Sequence, residues 1–147
     1  MNFRYNFQKV VDIKSSAKNQ AEWMLSTALG ELQTEEQSLQ QLLEDQNRTL
    51  EAINQAIEQC APISELQDMQ RYVVYLDKAI AGKINDVHKA QLNVDHKKLH
   101  LTEKMVDEKV WLQAKDKAKA KFTQEQMLRE QNELDEMATV RYAMQSR

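Results

Sequence analysis

Apolar residues recur along the first part of the chain with the rhythm of a coiled-coil seam. Leu25, Leu29, Leu32, Leu39, Leu43, Leu50, Ile53, Ile57 and Cys60 follow alternating spacings of four and three, interrupted by Glu36 and Gln46. Upstream, Phe3, Phe7, Val10, Ala17, Ala21 and Met24 carry an apolar stripe offset by one residue. Farther on, Val73, Ile80, Val87, Val94 and Leu101 repeat strictly by seven, with Leu66, Met69, Leu76, Ile84, Met105 and Leu112 at neighbouring positions. Both patterns predict long helices with one narrow apolar edge.

The sole proline, Pro62, separates the two patterns. It cannot continue a helix, and it pushes Ala61 toward an extended conformation. Ser64, with Gln67 three residues on, reads as an N-cap and capping box. The expected architecture is all-α: a single long two-helix antiparallel coiled-coil hairpin spanning 1–147. Its helices run from about 3 to 60 and from about 65 to 145, the second longer, around a turn at about 61–64. Folding at Pro62 brings Leu50 to Leu76, Ile53 to Val73, Ile57 to Met69, Leu39 to Val87, Leu32 to Val94 and Leu25 to Leu101. Phe3 then lies beside Phe122, and Glu36 falls near Lys89. Gln46 lands opposite Ile80 with no partner. At 1.5 Å per residue the arms measure ~85–90 Å and ~120 Å, so the second overruns the first from about Thr123. That overhang still carries Met127, Leu128, Leu134, Met137, Val140 and Met144. Either an external partner covers them or they form a frayed helical end.

Composition narrows the picture further. Two glycines and one proline cannot supply the tight turns of a sandwich, barrel or βαβ array. Isolated Gly30 and Gly82 sit inside helical patterns, at a cost of about 1 kcal/mol each relative to alanine. The hydrophobic share of 41%, aromatic share of 6% and charged share of 29% fit exposed helices rather than an enzyme core. A net charge of -3 gives no global attraction to nucleic acid or anionic lipid. One cysteine permits no internal disulfide, the opening residues have no signal-peptide core, and no run approaches the ~20 apolar residues of a membrane span. A cytoplasmic chain without direct membrane insertion is the expectation. In such a chain the Asn47-Arg48-Thr49 sequon is accidental.

Candidate chemistry is sparse. His96 and His100, one helical turn apart, could hold zinc with Glu103 as a third ligand, but the cysteine lies far away near the turn and solvated histidines are the plainer reading. Cys60 has no histidine to activate it, and no glycine-rich loop exists to cradle phosphate. No catalytic residue, metal or cofactor is expected. Charge is uneven: the middle of the first arm is acidic, whereas eight lysines lie between Lys97 and Lys121. Lys115, Lys117, Lys119 and Lys121 step by ~200° around a helix, forming a collar rather than the aligned groove that nucleic acid or lipid requires. Tyr72, Leu76, Ala79 and Lys83 share one helix face, with Tyr75 projecting elsewhere. Ser38, Leu42, Asp45 and Thr49 form a similar stripe on the facing arm.

The opening FRYNFQKVVDIK, the early ALGEL, RYVVYLDKAI after the turn and the ending EQNELDEMATVRY together resemble the FliJ family of flagellar type III export proteins. The resemblance implies a hairpin similar to the central stalk of rotary ATPases, peripheral to the cytoplasmic face of the membrane at the flagellar base. It implies three partners: the hexameric flagellar export ATPase, the cytoplasmic domain of the export gate membrane protein, and export chaperones. Carried over by position, the gate contact would use Leu42, Asp45, Tyr72, Leu76, Ala79 and Lys83, flanked by Ser38 and Thr49. Asp45 and Thr49 stand where the family has aromatics. The ATPase contact would use Phe3, Phe7, Trp111, Phe122, Met127, Leu134 and Met137. Readings from other classes are a free-standing, prefoldin-like coiled-coil chaperone and a structural spacer.

Overall fold

A computed structural model describes residues 2–146. It contains two helices, α1 (Gln8–Glu58) and the longer α2 (Ile63–Gln145), and no strand among the described residues. The fold is all-α, with helix packed on helix. Contacts divide the chain into two units: a turn unit, Gln20–Thr102, and a terminal unit comprising the residues up to Asn19 and from Glu103 onward.

The turn is built by helix-end chemistry rather than by proline alone. The Cys60 amide donates to the Ile57 carbonyl (3.1 Å) and the Ala61 amide to the Ala56 carbonyl (2.9 Å). Cys60 is left-handed, with φ of 54°. These three features make a Schellman cap, which satisfies carbonyls that α1 would otherwise leave orphaned. On the far side the Pro62 carbonyl accepts from Glu65 (3.1 Å) and Leu66 (3.2 Å). Pro62 therefore occupies the cap position expected of Ser64, which lies inside the first turn. Proline is suited to a helix entrance because its missing N–H would find no helical acceptor there.

In the turn unit the buried seam differs from the apolar ladder by one residue in every heptad. Leu25, Leu32, Leu39 and Ile53 are buried or half-buried as expected. The alternate rungs, however, are Ala28, Glu35, Leu42, Thr49 and Ala56, while Leu29, Leu43, Leu50 and Ile57 are exposed, Ile57 by 57%. On α2, Leu66, Met69, Val73, Leu76, Ile80, Val87 and Val94 lie in the seam, but Lys83 takes the place expected of Ile84, which is 54% exposed. Leu50 and Ile57 thus flank the seam instead of filling it. The seam keeps the 3-4 rhythm without interruption, and small or long-stemmed residues fit where two backbones approach closely. Ala28, Leu32 and Val94 form its densest cluster, with Leu25, Val87 and Ala90 packed around them.

The polar interruptions also resolve differently. Gln46 donates to the Asp77 carboxylate. Lys83 pairs with Glu35 at 2.9 Å, whereas Glu36 is exposed and makes no ion pair among the described residues.

In the terminal unit, α1 begins at Gln8 rather than near residue 3. Residues 2–5 are not helical and 6–7 form a turn, an arrangement that lays the rings at 3 and 7 against aromatic rings of α2. The Phe3 and Phe122 rings lie 5.5 Å apart, and Phe7 and Trp111 6.0 Å. Lys14–Asp107 and Lys18–Glu108, each 3.3 Å, continue the contact. From Thr123 on, every described residue of α2 except Gln126 is exposed.

Candidate functional site

The two residue groups singled out in the sequence lie in different units and are built differently. In the turn unit, Tyr72 and Ala79 stand on the flank opposite to Leu29, Leu43 and Leu50, since they follow the other seam-adjacent heptad position. Tyr72 stacks on Tyr75, ring centroids 6.1 Å apart, so Tyr75 joins this face instead of projecting elsewhere. Leu76 lies beneath it, only 1% exposed, and fixes the backbone from which both rings project. Leu42 is a half-buried rung of the seam itself, and Ala79 is half-buried beside it.

Polar groups on this face are held internally. Asp45 accepts from Arg48, and its carbonyl accepts from the Thr49 hydroxyl at 2.8 Å. Lys83 is bound to Glu35 and lies 3.7 Å from Asp86. The hydrogen bond to Glu35 is the main cause of a Lys83 pKa raised above the ordinary 10.5. The face therefore offers a stacked tyrosine pair bordered by neutralised charges. Such a surface suits docking rather than chemistry.

In the terminal unit, Phe3, Tyr5 and Phe7 form an aromatic ladder, with centroid separations of 6.5 Å and 5.8 Å, laid against Trp111 and Phe122. Tyr5 escaped the helical reading, although the alternation Phe3-Tyr5-Phe7 is the period of an extended segment. Three residues before Trp111 on α2, Glu108 is held below the usual carboxylate value of 4.5, first by a hydrogen bond from Ser15 and then by Lys18, against the opposing effect of burial. Met127, Leu134 and Met137 are exposed along the unpaired part of α2. Continuing the seam past Phe122 would use Glu125, Arg129, Asn132 and Glu136, all polar. The methionines and leucine thus occupy a separate stripe from the seam.

His96 and His100 lie on α2, and no group of three His, Cys, Asp or Glu side chains able to hold a metal occurs among the described residues. Cys60 is a free, exposed thiol. Among the described residues no helix is long and apolar enough to cross a membrane.

Comparison with known proteins agrees with this architecture. No curated protein sequence matches the chain. A solved structure described as that of a YscO homolog, CT670 of Chlamydia trachomatis, is similar in fold. It superposes with a TM-score of 0.59 at 18% identity, covering 99% of this chain and 98% of that one. The family model described as "Flagellar FliJ protein" matches residues 3–147, from the first ring of the aromatic ladder to the end of the sequence. The chain belongs to the FliJ family of flagellar proteins.

Proposed function

We propose that this chain is a noncatalytic stalk and adaptor of the flagellar type III protein export apparatus. In this reading the terminal unit enters the ring of the hexameric export ATPase through Phe3, Phe7, Trp111, Phe122, Met127, Leu134 and Met137. The turn unit meets the cytoplasmic domain of the export gate through Leu42, Asp45, Tyr72, Ala79 and Lys83, supported by Leu76. Export chaperones are further partners, engaged at the cytoplasmic side of the membrane. The observation that carries the reading is the family match over residues 3–147. It is supported by the exposed apolar stripe beyond Thr123, because a helix stretch carrying Met127, Leu134 and Met137 into solvent gains stability only from a partner.

Co-sedimentation of the full chain with the purified export ATPase tests the proposal. Association at micromolar concentration is expected, and its absence would overturn the stalk assignment. Truncation after Asn132 should weaken the ATPase contact while leaving binding to the gate domain intact. Tyr72→Ala should do the reverse, lowering gate binding alone; unchanged gate binding would reject that face.

A further inference from the structure

The terminal unit holds a cleft of about 550 Å³ lined by Phe3, Arg4, Tyr5, Gln8, Lys115 and Lys119. We propose that this cleft is the docking site for an acidic polypeptide segment that brings an apolar side chain between its carboxylates. The partner chemistry rests on the stalk reading above only in naming the export ATPase as the segment's source.

Three observations converge on that ligand. First, the cations here are uncompensated. Arg4, Lys9, Lys115, Lys117, Lys119 and Lys121 make no ion pair among the described residues, whereas Lys14, Lys18, Arg48, Arg71 and Lys83 all do. Asp12, the acid nearest to Arg4 and Lys9 in sequence, already accepts a hydrogen bond from Gln8. Of the side chains lining the cleft, Arg4, Lys115 and Lys119 are the charged ones, and all three are positive. Second, the geometry converges. Lys115 and Lys119, four residues apart, share one face of α2, and the extended segment carries Arg4 to the same cleft between two rings. A guanidinium and two ammonium groups can receive two or three carboxylates, the arginine bidentately. Third, Phe3 and Tyr5 give the cleft an apolar wall, with Phe3 held by its contact with Phe122 at 5.5 Å.

A phosphate polymer or an anionic bilayer fits less well. Lys117 and Lys121 point around the helix, out of the cleft, so the cations that converge are few and no aligned basic track exists.

The test measures binding of the full chain to the purified export ATPase as a function of NaCl concentration. Affinity should fall about tenfold between 50 and 300 mM NaCl. The double variant Lys115→Glu/Lys119→Glu should weaken binding tenfold or more. Lys117→Glu/Lys121→Glu makes the same charge change outside the cleft and should stay within twofold. Circular dichroism checks that both variants keep their helix content. Equal weakening by both pairs, or by neither, overturns the cleft proposal while leaving the stalk reading intact. If the wild-type chain does not bind the ATPase, the stalk reading fails. The cleft is then decided by a glutamate-rich peptide carrying one tryptophan, read by fluorescence. Binding to wild type but not to Lys115→Glu/Lys119→Glu supports it, and no binding overturns it. Tighter binding of duplex DNA or phosphatidylglycerol vesicles than of that peptide would also overturn it.

Discussion

Cys60 is a non-glycine residue holding a left-handed conformation, φ 54°, at the end of α1. Such a backbone costs an L-residue about 1 kcal/mol relative to glycine, and nothing in the exposed thiol's surroundings offsets it. Cys60→Gly should therefore raise stability by about 1 kcal/mol in urea unfolding. A second single-residue effect concerns protons. Glu108 ionises more readily than an ordinary carboxyl, through Ser15 and then Lys18. Its contribution is fully present above the usual 4.5 and disappears as pH falls through the lowered value. Lys83 works in the opposite sense: its pairing with Glu35 contributes below 10.5 and is lost as pH rises through the raised value. Glu108→Gln should flatten the acid limb of a melting-temperature profile and leave the alkaline limb unchanged. An unaltered acid limb would mean that the Ser15 and Lys18 contacts do not matter to stability.

At the scale of the helices, substitutions distinguish the buried seam from the leucine-rich row beside it. Leu76 is 1% exposed, and Leu76→Ala should cost about 2–5 kcal/mol. Ile84→Ala, on the flank, should cost under about 1 kcal/mol. Chemical denaturation of the two variants measures both, and equal losses would return Ile84 to the seam. This contrast also marks what the sequence made legible. The heptad of Val73, Ile80, Val87 and Val94 was readable because its large side chains coincide with the contact line. On α1 the leucines at 29, 43 and 50 drew the line one residue too far, since hydrophobicity ranks leucine above alanine whereas close packing of two backbones favours Ala28 and Ala56. Charged Glu35 and Lys83 in the seam were invisible to an apolar count. They enter because long stems can pack while the heads pair at the edge. Phe3 beside Phe122 was readable from the register. The extended start was not, because three alternating aromatics make a short signal inside a helical composition.

For the molecule as a whole, protection should be uneven along α2. The stretch from Thr123 to Gln145, ~34 Å of helix, is exposed beyond its first turn, with no partner among the described residues. A helix of that length is marginal without tertiary packing, so it opens locally. Limited trypsin digestion should cut at Arg129 and Arg141 before any site between Val73 and Val94. Adding a true partner should protect both sites. The two candidate faces were legible only in part: their residues follow from the sequence pattern and the family resemblance, but Tyr75 and Tyr5 join them through ring contacts that no spacing rule encodes.

The unbroken 3-4 rhythm of the contact line has an evolutionary consequence. An extra residue in either arm would rotate everything beyond it by ~100° and expose Val94 or Leu76 to solvent. Length can change cheaply only when seven residues enter one arm and seven more enter the other at the matching height. Relatives of different size should therefore differ by paired heptads, and an unpaired insertion should occur only in the solitary tail, where no opposing helix has to follow it.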